Sequence, residues 1–101
     1  MFTLRFSKRF KRNARKYGQK NQEFIEIIDD TLDRLRIDPG DPVLRSHRVT
    51  SRDAGVCWSS RVTGDIRILW DYTQFKDTLG TAIIEILDIG SHSGSKKVYK
   101  N

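Results

Sequence analysis

The stretch Trp58-Ser59-Ser60-Arg61-Val62-Thr63-Gly64-Asp65-Ile66-Arg67-Ile68-Leu69-Trp70 reads as two strands joined by a turn, and the length of that turn decides which residues share a face. With Thr63, Gly64 and Asp65 as a three-residue loop, Val62 faces Ile66, Ser60 faces Ile68 and Trp58 faces Trp70, so one face is almost wholly apolar. A two-residue loop of Gly64 and Asp65 sets Arg67 against Val62 and Arg61 against Ile68, mixing charge into both faces. The first register is expected. It puts Arg61 and Arg67 opposite each other on the outer face, close enough to hold one phosphate together.

Working outward, Leu44 to Val49 reads as a weak strand, and Thr81 to Ile89 is nearly continuous Ile and Leu, as in a central strand buried on both faces. At the other end, Phe2, Leu4 and Phe6 alternate with Thr3 and Arg5, the period of a half-buried strand. Ser7 can cap a helix with the apolar stripe Phe10, Ala14 and Tyr17, ending near Gly18. Asn21 can cap a second helix in which Phe24, Ile28, Leu32 and Leu35 repeat at helical spacing until Asp38-Pro39-Gly40 stops it. The order β-α-α-β-β-β predicts an α+β fold over residues 1–101 as one domain: an N-terminal strand, a two-helix hairpin and a mostly antiparallel twisted sheet.

Charge is unevenly placed. The chain has 101 residues, a net charge of +6 and a pI near 9.8, so a polyanionic partner is a reasonable prior. Residues 1–20 hold eight Lys and Arg and no acid, whereas residues 21–42 hold seven acids against Arg34 and Arg36. Two helices of opposite charge lying side by side attract each other, which explains part of the basic block without a binding role. The single Cys57 excludes an internal disulfide framework and reads as a buried small hydrophobe. No Cys/His cluster has zinc-site spacing, no apolar run approaches a membrane span, and the N-terminus lacks the pattern of a signal peptide. A cytoplasmic protein without membrane contact, metal or cofactor is expected.

Chemistry concentrates in the last third. Arginine neutralises phosphate and histidine moves protons near neutral pH. His92 follows Ile89-Gly90, where a short loop can lift it over the face that carries Arg61 and Arg67. Alone, a loop histidine is usually a bystander; beside two arginines it becomes a candidate. His47, between Ser46 and Arg48, is a second proton-transfer candidate. Arg45, Arg48, Lys96 and Lys97 complete the candidate phosphate-binding set.

Together, the basic first helix, the second helix ending in Asp38-Pro39, His47-Arg48-Val49, the 58–70 hairpin, Ile89-Gly90-Ser91-His92 and Val98-Tyr99 resemble the RelE/ParE superfamily of small bacterial toxins. The likeness is to the branch of RelE-, YafQ- and HigB-like messenger-RNA interferases. It implies a toxin of a type II toxin–antitoxin system that cuts mRNA in the ribosomal A site and is held silent by a cognate antitoxin. Cleavage in that family proceeds without a metal, the 2′-hydroxyl attacking its own phosphate to leave a 2′,3′-cyclic phosphate and a 5′-hydroxyl. Carried over by motif, Arg67 stabilises the phosphate in flight, His92 is the general acid, His47 the base and Tyr99 a stacking or orienting group, with Arg61 holding the phosphate. Two alternatives stay open: a ParE-like inhibitor of DNA gyrase, and a catalytically silent binding protein of the same fold.

Overall fold

A computed structural model of the chain describes residues 1–92. Its elements are strand β1 (Thr3–Phe6), helices α1 (Lys8–Lys20) and α2 (Glu23–Ile37), a single 3-10 turn (Pro42–Leu44), and strands β2 (His47–Ser51), β3 (Gly55–Arg61), β4 (Ile66–Lys76) and β5 (Ala82–Ser91). The sheet order is β1-β5-β4-β3-β2, with β1 parallel to β5 and every other pair antiparallel. The expected α+β class holds. Four strands follow the helices, one more than the β-α-α-β-β-β order counts.

Local chemistry sets the helix ends. Ser7 caps α1, its Oγ accepting the Phe10 N–H at 3.0 Å. Gly18 does not end that helix; α1 runs two residues further, and a Cβ at Gly18 would come within 2.9 Å of Ile25 Cγ1. The glycine is there for a close approach of α2, not for a left-handed cap. Asn21 stands between the helices and accepts the Glu23 N–H at 3.0 Å. Beyond α2, Pro42 starts the 3-10 turn and Arg45 takes a left-handed conformation (φ 48°), so the strand expected from Leu44 begins only at His47.

One sheet face and the helices share the main core. Phe10, Ile28, Leu35, Leu44, Ile66, Ile68, Trp70, Ile84, Ile86 and Ile89 are buried there, with Trp58 and Val62 packed against them. Each fully buried aliphatic side chain in this set contributes about 1.5–3 kcal/mol. Trp58 and Trp70 stack at 5.8 Å, as their cross-strand pairing requires. The Trp70 indole N–H donates to Ser60 Oγ at 2.7 Å; Ser60 meets Ser46 Oγ at 2.6 Å, and Ser46 donates to the Pro39 carbonyl at 3.4 Å. Because an indole only donates, the chain of donors runs one way, from Trp70 through both hydroxyls to the loop after α2. It fastens β4, β3, the entry to β2 and that loop to one another.

The strand 82–91 lies inside the sheet as expected, but the central position belongs to β4. That strand also extends six residues past Trp70, carrying Tyr72 and Phe75 half exposed on a hairpin arm with β5. A smaller apolar cluster on the other sheet face centres on Cys57 and Leu69, so Cys57 is the buried hydrophobe that its composition suggests.

The helices do not meet through charge. Tyr17 packs on Phe24 at 5.9 Å, while the α2 acids Asp30 and Asp33 pair within their own helix with Arg34 and Arg36. Among the described residues Arg9 is the one α1 cation in an ion pair, and its partner is Asp53 in the β2–β3 turn. The opposite-charge pairing expected between the helices is replaced by aromatic contact and the Gly18–Ile25 approach.

Two outcomes follow for stability. Trp70→Phe and Ser60→Ala each cost about 1–3 kcal/mol, and the double variant costs less than their sum by at least about 0.5 kcal/mol, as read from urea unfolding. Burial first, and then the charge of Asp71, pushes the Cys57 thiol up to about 11 from 9.0. The native state therefore holds that proton more tightly than the unfolded chain, so this contribution is intact below pH 9 and is lost as pH rises towards 11. The stability difference between the native chain and Cys57→Ala should be constant below pH 9 and shrink as pH rises towards 11.

Candidate functional site

The β3–β4 turn is observed in the three-residue form. Arg61 pairs with Arg67, Ser60 with Ile68 and Trp58 with Trp70, and the Val62 N–H donates to the Ile66 carbonyl at 2.9 Å. Thr63 builds the turn from inside: its Oγ1 accepts the Ile66 N–H at 3.0 Å and the Asp65 N–H at 3.3 Å. That leaves the turn's backbone carbonyls to hold the groups around it.

Arg67 Nη1 donates to the Thr63 carbonyl at 2.6 Å and to the Ile66 carbonyl at 3.1 Å, which bends its guanidinium back over the turn. From the other strand, Arg61 Nη2 lies 4.0 Å from where a Cβ on Gly64 would stand. On β5, Ser91 Oγ reaches the Asp65 carboxylate at 2.9 and 3.0 Å, and the His92 N–H donates to the Asp65 carbonyl at 2.6 Å. Arg61, Arg67 and His92 are thus gathered around one turn. No separate loop lifts His92, because β5 continues through Ile89 and Gly90 to Ser91 and delivers the histidine directly. Arg67 pairs with Gly90 and Ile66 with Ser91, so strand alternation puts His92 on the side of Arg67.

All three side chains are half buried, and neither arginine pairs with an acid among the described residues. Directly opposed Cβ atoms lie about 4.5–5.5 Å apart. Arg61 and Arg67 are directly opposed in this way, and neither meets an acid among the described residues.

The other candidates are dispersed. His47 pairs with Ser59 on β2 and shares the arginine face, but it stands on the opposite side of Arg61 from His92. Three strand spacings and an offset of several residues put the two histidines on the order of 15–20 Å apart, beyond the reach of one phosphate. Its Nδ1 lies 3.1 Å from the Arg45 carbonyl. Arg48 crosses to Trp58, with its guanidinium 5.3 Å from the ring centroid and 3.4 Å from Asp71, so it is tied up away from the arginine pair. Arg45 shares with Arg61 a cleft of about 460 Å³ bounded by α2 and the 3-10 turn. Lys96, Lys97 and Tyr99 lie outside the described residues.

Sequence reading missed Asp65 and Ser91 as the clasp that seats His92. The signal was present, since Asp65 occupies the turn and Ser91 immediately precedes the histidine. Their partnership depends on the β4–β5 register, which alternation in β5 alone does not reveal.

No protein-family model matches the chain, and no curated protein does so either. Solved structures do. The YoeB/ParE toxin from Agrobacterium tumefaciens superposes with a TM-score of 0.70 at 15% identity, over 91% of this chain and 100% of that one. The chain has the RelE/ParE toxin fold. YafQ from E. coli gives a TM-score of 0.64 at 16% identity, covering 90% of this chain and 93% of its own. In the E. coli DinJ–YafQ toxin–antitoxin complex the score is 0.65 at 14% identity, with 90% and 92% covered.

Binding of single-stranded polyuridylate should weaken with added salt. Arg61→Ala and Arg67→Ala should each lower the slope of log affinity against log salt by about 0.7, whereas unchanged slopes would remove the pair as a phosphate site.

Proposed function

We propose that the chain is the toxin of a type II toxin–antitoxin system and an endoribonuclease that cuts mRNA in the ribosomal A site. The observation that carries this reading is the Arg61–Arg67 cross-strand pair with His92 seated on the same turn. The fold shared with YoeB/ParE and YafQ toxins supports it, and the DinJ–YafQ complex supports a cognate antitoxin as the second partner.

The reaction asks for charge neutralisation and proton transfer. Arg67, its guanidinium anchored by two carbonyls, stabilises the charge that builds on the phosphorane, and Arg61 holds the phosphate from the facing strand. The 2′-hydroxyl loses its proton to solvent and attacks the phosphorus. The P–O5′ bond breaks and His92 protonates the departing 5′-oxygen, leaving a 2′,3′-cyclic phosphate. His47 stands too far along the face to be the base for that phosphate, so its place is beside the RNA that flanks the cut. No helix among the described residues is long and apolar enough to cross a membrane, and the reading needs only the ribosome, mRNA and antitoxin as partners.

Purified protein added to ribosomes translating a defined message should yield fragments with cyclic phosphate ends. His92→Ala should slow cutting by about 10²–10⁴-fold and Arg67→Ala by about 10²–10³-fold, while His47→Ala should cost less than about tenfold, short of a general base's share. Cutting that is unchanged in both of the first two variants would overturn the assignment.

A further inference from the structure

A cleft lies beside Arg61, between α2 and the 3-10 turn. It is bounded on one side by Thr31 and Arg34 of α2 and on the other by Pro42, Val43 and Arg45, with Arg61 at its end. At about 460 Å³ it is the size of a small-ligand pocket. Arg34 is already committed to Asp30 and Asp41. Asp30 also lines the cleft, but it pairs with Arg34, and Arg45 and Arg61 make no ion pair among the described residues. Its outer wall is apolar and open, with Val43 61% exposed next to Pro42.

Arg45 itself is held at a cost. Among the described residues it is the one non-glycine with positive φ, at 48°, in a conformation that glycine adopts without strain. Its N–H donates to the Pro42 carbonyl at 3.2 Å, and its own carbonyl faces His47 Nδ1. Both are backbone contacts, which glycine would make equally well. The turn therefore does not need the arginine side chain.

We propose that this cleft is a nucleotide subsite, an assignment that rests on the RNA-cutting reading. It holds the nucleotide next to the scissile one: Arg45 and Arg61 take its phosphate, and its base or ribose lies against Pro42 and Val43. Arg61 is the shared member, touching the flanking phosphate on the cleft side and the scissile phosphate on the turn side. RNA bound this way is positioned by two successive phosphates, which fixes the reacting bond over Arg67 and His92.

The probe is a fluorescein-labelled hexaribonucleotide of mixed sequence with 2′-O-methyl riboses, which cannot be cut, followed by anisotropy at low salt. Arg45→Gly should weaken binding at least tenfold without lowering the melting temperature, since glycine relieves the left-handed turn. Val43→Glu, which places a negative charge on the exposed wall, should weaken it comparably. His92→Ala should bind as the native chain does while failing to cut a cleavable message. If Arg45→Gly and Val43→Glu bind the probe with native affinity while His92→Ala abolishes cutting, the subsite is wrong and the cutting site stands. If the native chain neither binds the probe nor cuts mRNA on ribosomes, both are wrong. Loss of poly-glutamate binding in the two cleft variants, with RNA affinity unchanged, would assign the cleft to an acidic protein segment and overturn the proposal.

Discussion

The register of one hairpin governs both the core and the site. A shift of a single residue between β3 and β4 would carry every side chain of one strand to the opposite face, taking its tryptophan out of the core and breaking up the arginine pair. Three residues of turn prevent this, and Thr63 enforces their number by capping the turn with its own hydroxyl. The same turn offers the Thr63 and Asp65 carbonyls as anchors for Arg67 and for the His92 backbone. Core register and site geometry therefore have a common cause, and neither can be altered independently of the other.

What was legible in the sequence follows from this. Alternation over 58–70 distinguishes the two possible registers because only one of them separates apolar from charged residues, and the observed pairs are the ones it selects. Helix caps at Ser7 and Asn21 and the stop at Asp38 were equally readable, since capping is local chemistry. Boundaries failed where geometry outweighed pattern. Leu44 looks like a strand residue, yet Pro42 and the left-handed Arg45 turn the chain before β2 can start. Past Trp70, β4 continues through polar and aromatic residues whose pairing with β5 substitutes for burial. For the site, His92 and the two arginines were within reach of sequence reasoning because they sit on or beside the decisive hairpin. The distance of His47 from them was not, since it depends on how many strands lie between.

Charge distribution adds a second constraint. The cations of α1 are exposed, and those other than Arg9 have no acid partner among the described residues, while Asp30 and Asp33 of α2 pair with Arg34 and Arg36 of their own helix. The helix hairpin is thus held by Tyr17, Phe24 and the Gly18–Ile25 approach against the mutual repulsion of the α1 charges. Such an arrangement gives up a little stability at low ionic strength and gains a field that draws polyanions toward the molecule.

The division between the two sheet faces explains how the site can be strained and underpaired without unfolding the protein. Trp70, Ser60 and Ile68 secure β3 and β4 from the helix side through buried contacts and the hydroxyl relay. Near the turn, Arg61 and Arg67 are thereby relieved of holding the sheet together, while further along the same face Cys57 and Leu69 form a second buried cluster. Arg61 and Arg67 can stand side by side, neither paired with an acid among the described residues, because the cost is a few tenths to one kcal/mol of repulsion at a half-buried surface, less than one buried aliphatic side chain supplies. Arg45 is a smaller instance of the same trade: its left-handed backbone is tolerable because Leu44, its neighbour, is fully buried and pins the turn. In each case buried neighbours in sequence bear the structural load, and the charged residue beside them does not have to.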